Sequence, residues 1–142
     1  MRTTILFGGV NRERLVSVAS AQAVAAALPQ ADLWFQASDG RVHEAERARL
    51  FAHQRPFELD FPADGPLIGD IAAAFDKAAA EDRVIVLAQH GGPAEDGRMA
   101  ALAEARADGM RTATLQASPD GYSVYERLGF RTVTTLRASL AA

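Results

Sequence analysis

The sequence predicts one α/β domain of 142 residues: a single open, mostly parallel sheet with helices on both faces, Rossmann-like in arrangement. Three observations predict it. Short β-rich runs alternate with helix-length segments along the chain, the pattern of strands joined by crossover helices. One run, VIVLA at 84–88, is continuously apolar, as a parallel strand covered on both faces requires. Glycine pairs, Gly8-Gly9 and Gly91-Gly92, stand close behind the first strand and the clearest one, where a chain must turn sharply.

Residues 3–7, TTILF, read as a buried first strand closed by Gly8-Gly9. Small and apolar residues then carry a helix from Ser17 to Leu28, and Pro29 stops it. Residues 32–36, DLWFQ, form the second strand before the turn residues Ser38, Asp39 and Gly40. Between 41 and 66 the pattern loosens. HEAERARLFAHQ has helical propensity on a broken face, FELDF at 57–61 alternates like a short strand, and FPADGPLIGD is the candidate linker. A helix is expected over 68–80, with Ile71, Phe75 and Ala78 at helical spacing. The strand at 83–88 follows, then a helix over 95–108 ending at Gly109. A strand over 112–117 leads to Ser118-Pro119, a cap followed by proline at the first helical position. Tyr122, Val124, Tyr125 and Leu128 form the apolar side of that last helix, and a final strand spans 130–136.

Composition excludes several classes. With 49% hydrophobic and 23% charged residues the chain is globular in type. It has no cysteine, hence no disulfide, thiolate nucleophile or cysteine-based zinc site, and no metal site is expected. A net charge of −3, with basic residues scattered among acids, gives no footprint for nucleic acid. No apolar run approaches the roughly 20 residues of a membrane span, and the N-terminus lacks a signal-peptide pattern, so a cytoplasmic protein is expected.

In sheets of this kind ligands sit at the carboxyl ends of the strands, which gathers Gly8-Gly9, His90-Gly91-Gly92 and Ser118 on one edge. Glu13, just after the first turn, can present a carboxylate to a substrate ammonium. His90 is a candidate hydrogen-bonding or acid/base group, with an intrinsic pKa near neutrality. Glu95 and Asp96 fall where the first turn of a helix welcomes negative charge. Ser17 reads as a helix-start or turn residue.

ILFGGVNRERLVSVASAQ, followed later by VIVLAQHGGPAEDGR, resembles the N-terminal, pre-ATP-grasp domain of D-alanine–D-alanine ligases. The shared motifs are the first-strand Gly-Gly with Glu-Arg and Val-Ser behind it, and the strand-end His-Gly with Glu-Asp-Gly after a short gap. The resemblance covers residues 1–98. It implies substrate contacts from Glu13, the residue matching a glutamate that contacts the first D-alanine; beside it stand Gly8, Gly9, Ser17, Glu95, Asp96 and Ser118 as substrate-binding candidates and His90 as a catalytic candidate. Such ligases clasp ATP and magnesium with two further domains, so ligation by this chain alone is not expected.

RMAALAEARADGMRTATLQASPDGYSVYERLGFRTV, from residue 98 onward, resembles the C-terminal part of a GCN5-related N-acetyltransferase. The resemblance implies a general-acid role for Tyr125 and a strand-end role for Ser118, with acetyl-CoA as cofactor. The loop expected to hold the acetyl-CoA pyrophosphate reads HGGPAEDGR instead, where proline removes a donor and two acids repel phosphate.

Together the two resemblances imply a chimera: residues 1–98 ligase-like, 98–142 acetyltransferase-like, with the junction inside 83–98. Three functions follow from it. The first is a hybrid without a complete active site and with no cofactor. A second is an amino-acid or dipeptide-binding module, or a ligase-like subunit, using Glu13 and His90, with ATP as the associated cofactor. The third is a coenzyme A-dependent N-acetyltransferase using Tyr125. A small-molecule ligand and a homodimer are the expected partners, since a domain cut from larger parents exposes faces that once were packed.

Overall fold

The computed structural model describes residues 1–99, 102 and 113–115. Within these, six strands form one sheet in the order β4-β3-β2-β1-β5-β6. They are β1 (Arg2–Gly8), β2 (Asp32–Gln36), β3 (Val42–Ala45), β4 (Leu67–Gly69), β5 (Arg83–Leu87) and β6 (Ala113–Leu115). The helices are α1 (Arg14–Ala27), α2 (Arg47–Ala52) and α3 (Ile71–Ala80), with a single 3₁₀ turn at Gly92–Ala94. The predicted open α/β sheet is present. It is mixed, with β1 parallel to β2 and β5, β5 parallel to β6, and β3 antiparallel to both β2 and β4.

Alternation along the central strands sorts their side chains onto two faces. Ile5 and Phe7 of β1 pack with Leu33 and Phe35 of β2 under Val18, Ala21 and Ala25 of α1. Leu6, Trp34, Ile85 and Leu87 point the other way, onto Ala74, Phe75 and Ala78 of α3 and onto Met99. Both faces are therefore covered by helices.

Three departures from the sequence expectation fall in or next to the loosely patterned 41–66. Residues 57–61 are not a strand: backbone N–H groups of Glu58 and Leu59 fold back onto the Arg55 carbonyl, and only Phe61 of the alternating trio is buried. Its ring packs against Phe7 and Phe35 at centroid distances of 5.4 and 5.0 Å, pinning the loop to the sheet. The segment preceding it supplies a strand, β3, and a short helix, α2. The helix expected from residue 68 begins at Ile71, because β4 takes Leu67–Gly69 and the Asp70 carboxylate caps the helix by accepting the Ala73 N–H at 2.8 Å.

The helix expected over 95–108 is preceded by the 3₁₀ turn, and its described residues Arg98, Met99 and Leu102 are helical. Glu95 and Asp96 thus precede that helix. Asp96 nonetheless serves its N-terminus, accepting the Arg98 N–H at 3.0 Å. The strand expected over 112–117 is described at 113–115. It pairs with β5 in parallel. The expected last helix and strand, with Ser118 and Tyr125, lie outside the described residues.

Candidate functional site

The strand order places a reversal beside β1: the chain runs outward from β1 through β2, β3 and β4, then returns over α3 to β5 on the other side of β1. Open α/β sheets bind ligands at such a switch point, outside the carboxyl ends of the strands. A cavity of about 600 Å³ lies there, lined by Gly8 and Gly9 after β1, Gln36 at the end of β2, and Gln89, His90 and Gly91 after β5. Asp39, Arg41, Asp70 and Arg98 add exposed charges to its lining.

The cavity's walls are fixed by local chemistry. Gly8 has φ +89°, and a Cβ there would stand 2.2 Å from the Gln36 carbonyl oxygen, so a side chain cannot be accommodated where β1 meets β2. Ser17, fully buried on α1, accepts the Gly8 N–H at 2.8 Å and donates to the Ala88 carbonyl at 2.7 Å. One hydroxyl thus ties the ends of β1 and β5 to the helix between them. Ser17 does not line the cavity; it holds the backbone that does.

His90 lines the cavity half-buried. Its Nε2 lies 2.7 Å from the Ser20 hydroxyl, and its Nδ1 is 3.9 Å from Glu95 Oε1, too far for a hydrogen bond. Asn11 braces the same loop, its side-chain amide donating to the His90 carbonyl at 3.2 Å while its oxygen accepts the Glu13 N–H at 2.9 Å. Glu13 is exposed and stands beside the cavity across Gly91. There φ is +67°, and an added Cβ would fall 2.7 Å from the Glu13 carboxylate. Of the residues the sequence singles out, Gly8, Gly9 and His90 line the cavity, Glu13, Glu95 and Asp96 stand against its lining residues Gly91, His90 and Arg98, and Ser17 supports it from behind. The Arg98 guanidinium beside Asp96 lowers that carboxyl's pKa.

Two functional candidates escape the sequence reading, Gln36 and Gln89. Each is 4% exposed, and the Gln89 side-chain amide donates to Gln36 Oε1 at 2.7 Å. The signal was a polar residue closing an otherwise apolar run, DLWFQ and VIVLAQ, at the ends of the two strands that flank β1.

No protein-family model matches the chain, and no curated protein matches it. Among solved structures its fold is similar to the crystal structure of D-alanine–D-alanine ligase from Helicobacter pylori, with a TM-score of 0.53 and 20% sequence identity. The similarity covers 94% of this chain and 44% of that one, so the chain spans less than half of the ligase's length. At this identity the likeness is one of fold. It supports the ligase-like resemblance of residues 1–98 and, at 94% coverage, extends past residue 98; it gives no support to an acetyltransferase part or to a chimera.

Proposed function

We propose that the chain binds a small amino acid or dipeptide in the cavity at the carboxyl ends of β1, β2 and β5, as a binding module or ligase-like subunit. The observation that carries this reading is the convergence of Gly8, Gly9, His90 and Gly91 on one cavity at the sheet's switch point, with the Glu13 carboxylate beside it. Glu13 supplies the negative charge that a ligand ammonium seeks. His90, held through Nε2 by Ser20, offers Nδ1 as donor or acceptor according to its tautomer. The fold similarity to a D-alanine–D-alanine ligase and the shared motifs support the ligand class. No catalytic step is assigned to this chain.

Titration calorimetry with D-alanine, D-alanyl-D-alanine, ATP and acetyl-CoA tests it. Saturable heat with D-alanine or the dipeptide, lost in Glu13→Gln, is the expected result. Absence of binding by either, with acetyl-CoA bound at micromolar affinity and turnover of an amine abolished in Tyr125→Phe, would replace it with the acetyltransferase reading.

A further inference from the structure

One side chain joins the two motifs that meet at the cavity. Asn11, itself a lining residue, donates through Nδ2 to the His90 carbonyl at 3.2 Å and accepts the Glu13 N–H on Oδ1 at 2.9 Å. A carbonyl only accepts and a backbone N–H only donates, so these two partners fix which way the amide faces. The reach to Glu13 is a local Asx turn; the reach to His90 crosses 79 residues of chain. Gly92 leaves room for it, since φ there is +48° and an added Cβ would stand 3.1 Å from Asn11 Nδ2. Glu13 has no such anchor in its own side chain: it opens α1 without a side-chain capping bond, so the placing of its carboxylate starts from its backbone.

Asn11 is held in turn from outside the cavity. Its carbonyl accepts the Arg14 N–H at 3.2 Å and Arg14 Nη1 at 3.1 Å. The other edge of that guanidinium forks onto Asp60, with Nε donating to Oδ1 at 2.7 Å and Nη2 to Oδ2 at 3.1 Å. The Asp60 side chain is 63% exposed, so the pair adds little to stability. Its two-pronged geometry fixes a direction, and that direction points Nη1 at Asn11.

We infer that Asn11 is a positioning residue: it sets the spacing between the Glu13 and His90 backbones, hence between the two side chains that meet the ligand, and the Arg14–Asp60 pair keeps it in place from the protein surface. Two groups can hold one small ligand only at a set separation, which a supporting layer of hydrogen bonds has to maintain. This role rests on the cavity being the amino-acid site proposed above.

The test is calorimetry with D-alanine on the wild-type chain, Asn11→Asp, Asp60→Asn and Asp60→Glu, together with the ¹³C resonance of the His90 carbonyl in each. Asn11→Asp keeps the acceptor for the Glu13 N–H and sets an oxygen against the His90 carbonyl where a donor stood. It is expected to weaken D-alanine binding about 10-fold or more. Asp60→Asn is expected to weaken it about 3-fold and to shift the His90 carbonyl, which Asp60 does not touch; Asp60→Glu, which restores the carboxylate, should return both toward wild type. A merely local surface ion pair would leave that resonance where it is. Wild-type affinity in Asn11→Asp, or an unmoved His90 carbonyl in Asp60→Asn, overturns the positioning role while leaving the amino-acid site standing. Absence of D-alanine binding by the wild-type chain removes the site itself, and the role with it. Should Asn11→Asp fail to fold, the two Asp60 variants, altered at an exposed position, decide the matter alone: affinity and resonance both unchanged in Asp60→Asn overturn the inference.

Discussion

The Ser17 hydroxyl donates to the carbonyl of Ala88, 71 residues further along the chain, at 2.7 Å. The same oxygen accepts the Gly8 N–H. Removing it leaves a buried N–H without an acceptor and a buried carbonyl without its donor, a loss on the order of 1–3 kcal/mol. Ser17→Ala is expected to lower unfolding stability by about 2 kcal/mol in a denaturant titration and to weaken ligand binding as the two strand ends loosen. Unchanged stability would show that the hydroxyl is dispensable to the site's frame.

At Gly91 a positive φ and the Glu13 carboxylate exclude a side chain together. Gly91→Ala is expected to cost about 1–3 kcal/mol from the backbone alone, because φ +67° with ψ 168° is a conformation essentially confined to glycine. It also forces Glu13 away from the cavity. Binding of D-alanine should fall in Gly91→Ala by at least as much as in Glu13→Gln, measured by calorimetry.

Phe61 anchors the loop that the sequence pattern suggests is a strand. Phe61→Ala, which empties a site between Phe7, Phe35 and His53, is expected to cost about 3 kcal/mol. Phe57→Ala and Leu59→Ala, at 59% and 48% exposed positions, should stay within about 0.5 kcal/mol of wild type. Three comparable losses would instead indicate a strand buried on one face.

The contrast marks where the sequence was legible. Strands β1, β2 and β5 follow from runs in which apolar side chains face a helix layer on each side, and their bounds are recovered within a residue or so. Residues 41–69 were not legible, because FELDF satisfies a strand's alternation while the backbone turns at Arg55, and LIG is too short to separate from the helix behind it. At the site, motif spacing reveals Gly8, Gly9, His90 and Glu13. The Gln36–Gln89 contact depends instead on strand order, since two residues 53 apart meet only because β2 and β5 flank β1. Likewise, Ser17's place behind the cavity follows from which face of α1 meets the sheet.

Acid stability follows from Glu81, which ion-pairs with Lys77 and Arg83 at the start of β5. Hydrogen bonds from Lys77 first, then Arg83, hold its carboxyl down at about 2, against an ordinary 4.5. A carboxyl depressed on folding stabilises the native state above its unfolded pKa and loses that contribution as pH falls through the folded one. Asp60, lowered by its hydrogen bond from Arg14, acts in the same direction. Stability is therefore expected to decline as pH falls from about 4.5 toward 2, with a shallower slope in Glu81→Gln; ¹³C titration of the Glu81 carboxyl should give a midpoint near 2 in the folded protein.

The central claim is that the cavity at the carboxyl ends of β1, β2 and β5 holds an amino acid. Backbone amide chemical-shift mapping during titration with D-alanine tests it most directly. Saturable shifts concentrated at Gly8, Gly9, Gln36, Gln89, His90 and Gly91 are the predicted result. Shifts confined to the opposite end of the sheet, around Arg2, Thr3 and Asp32, or no saturable shift at any concentration, would contradict it.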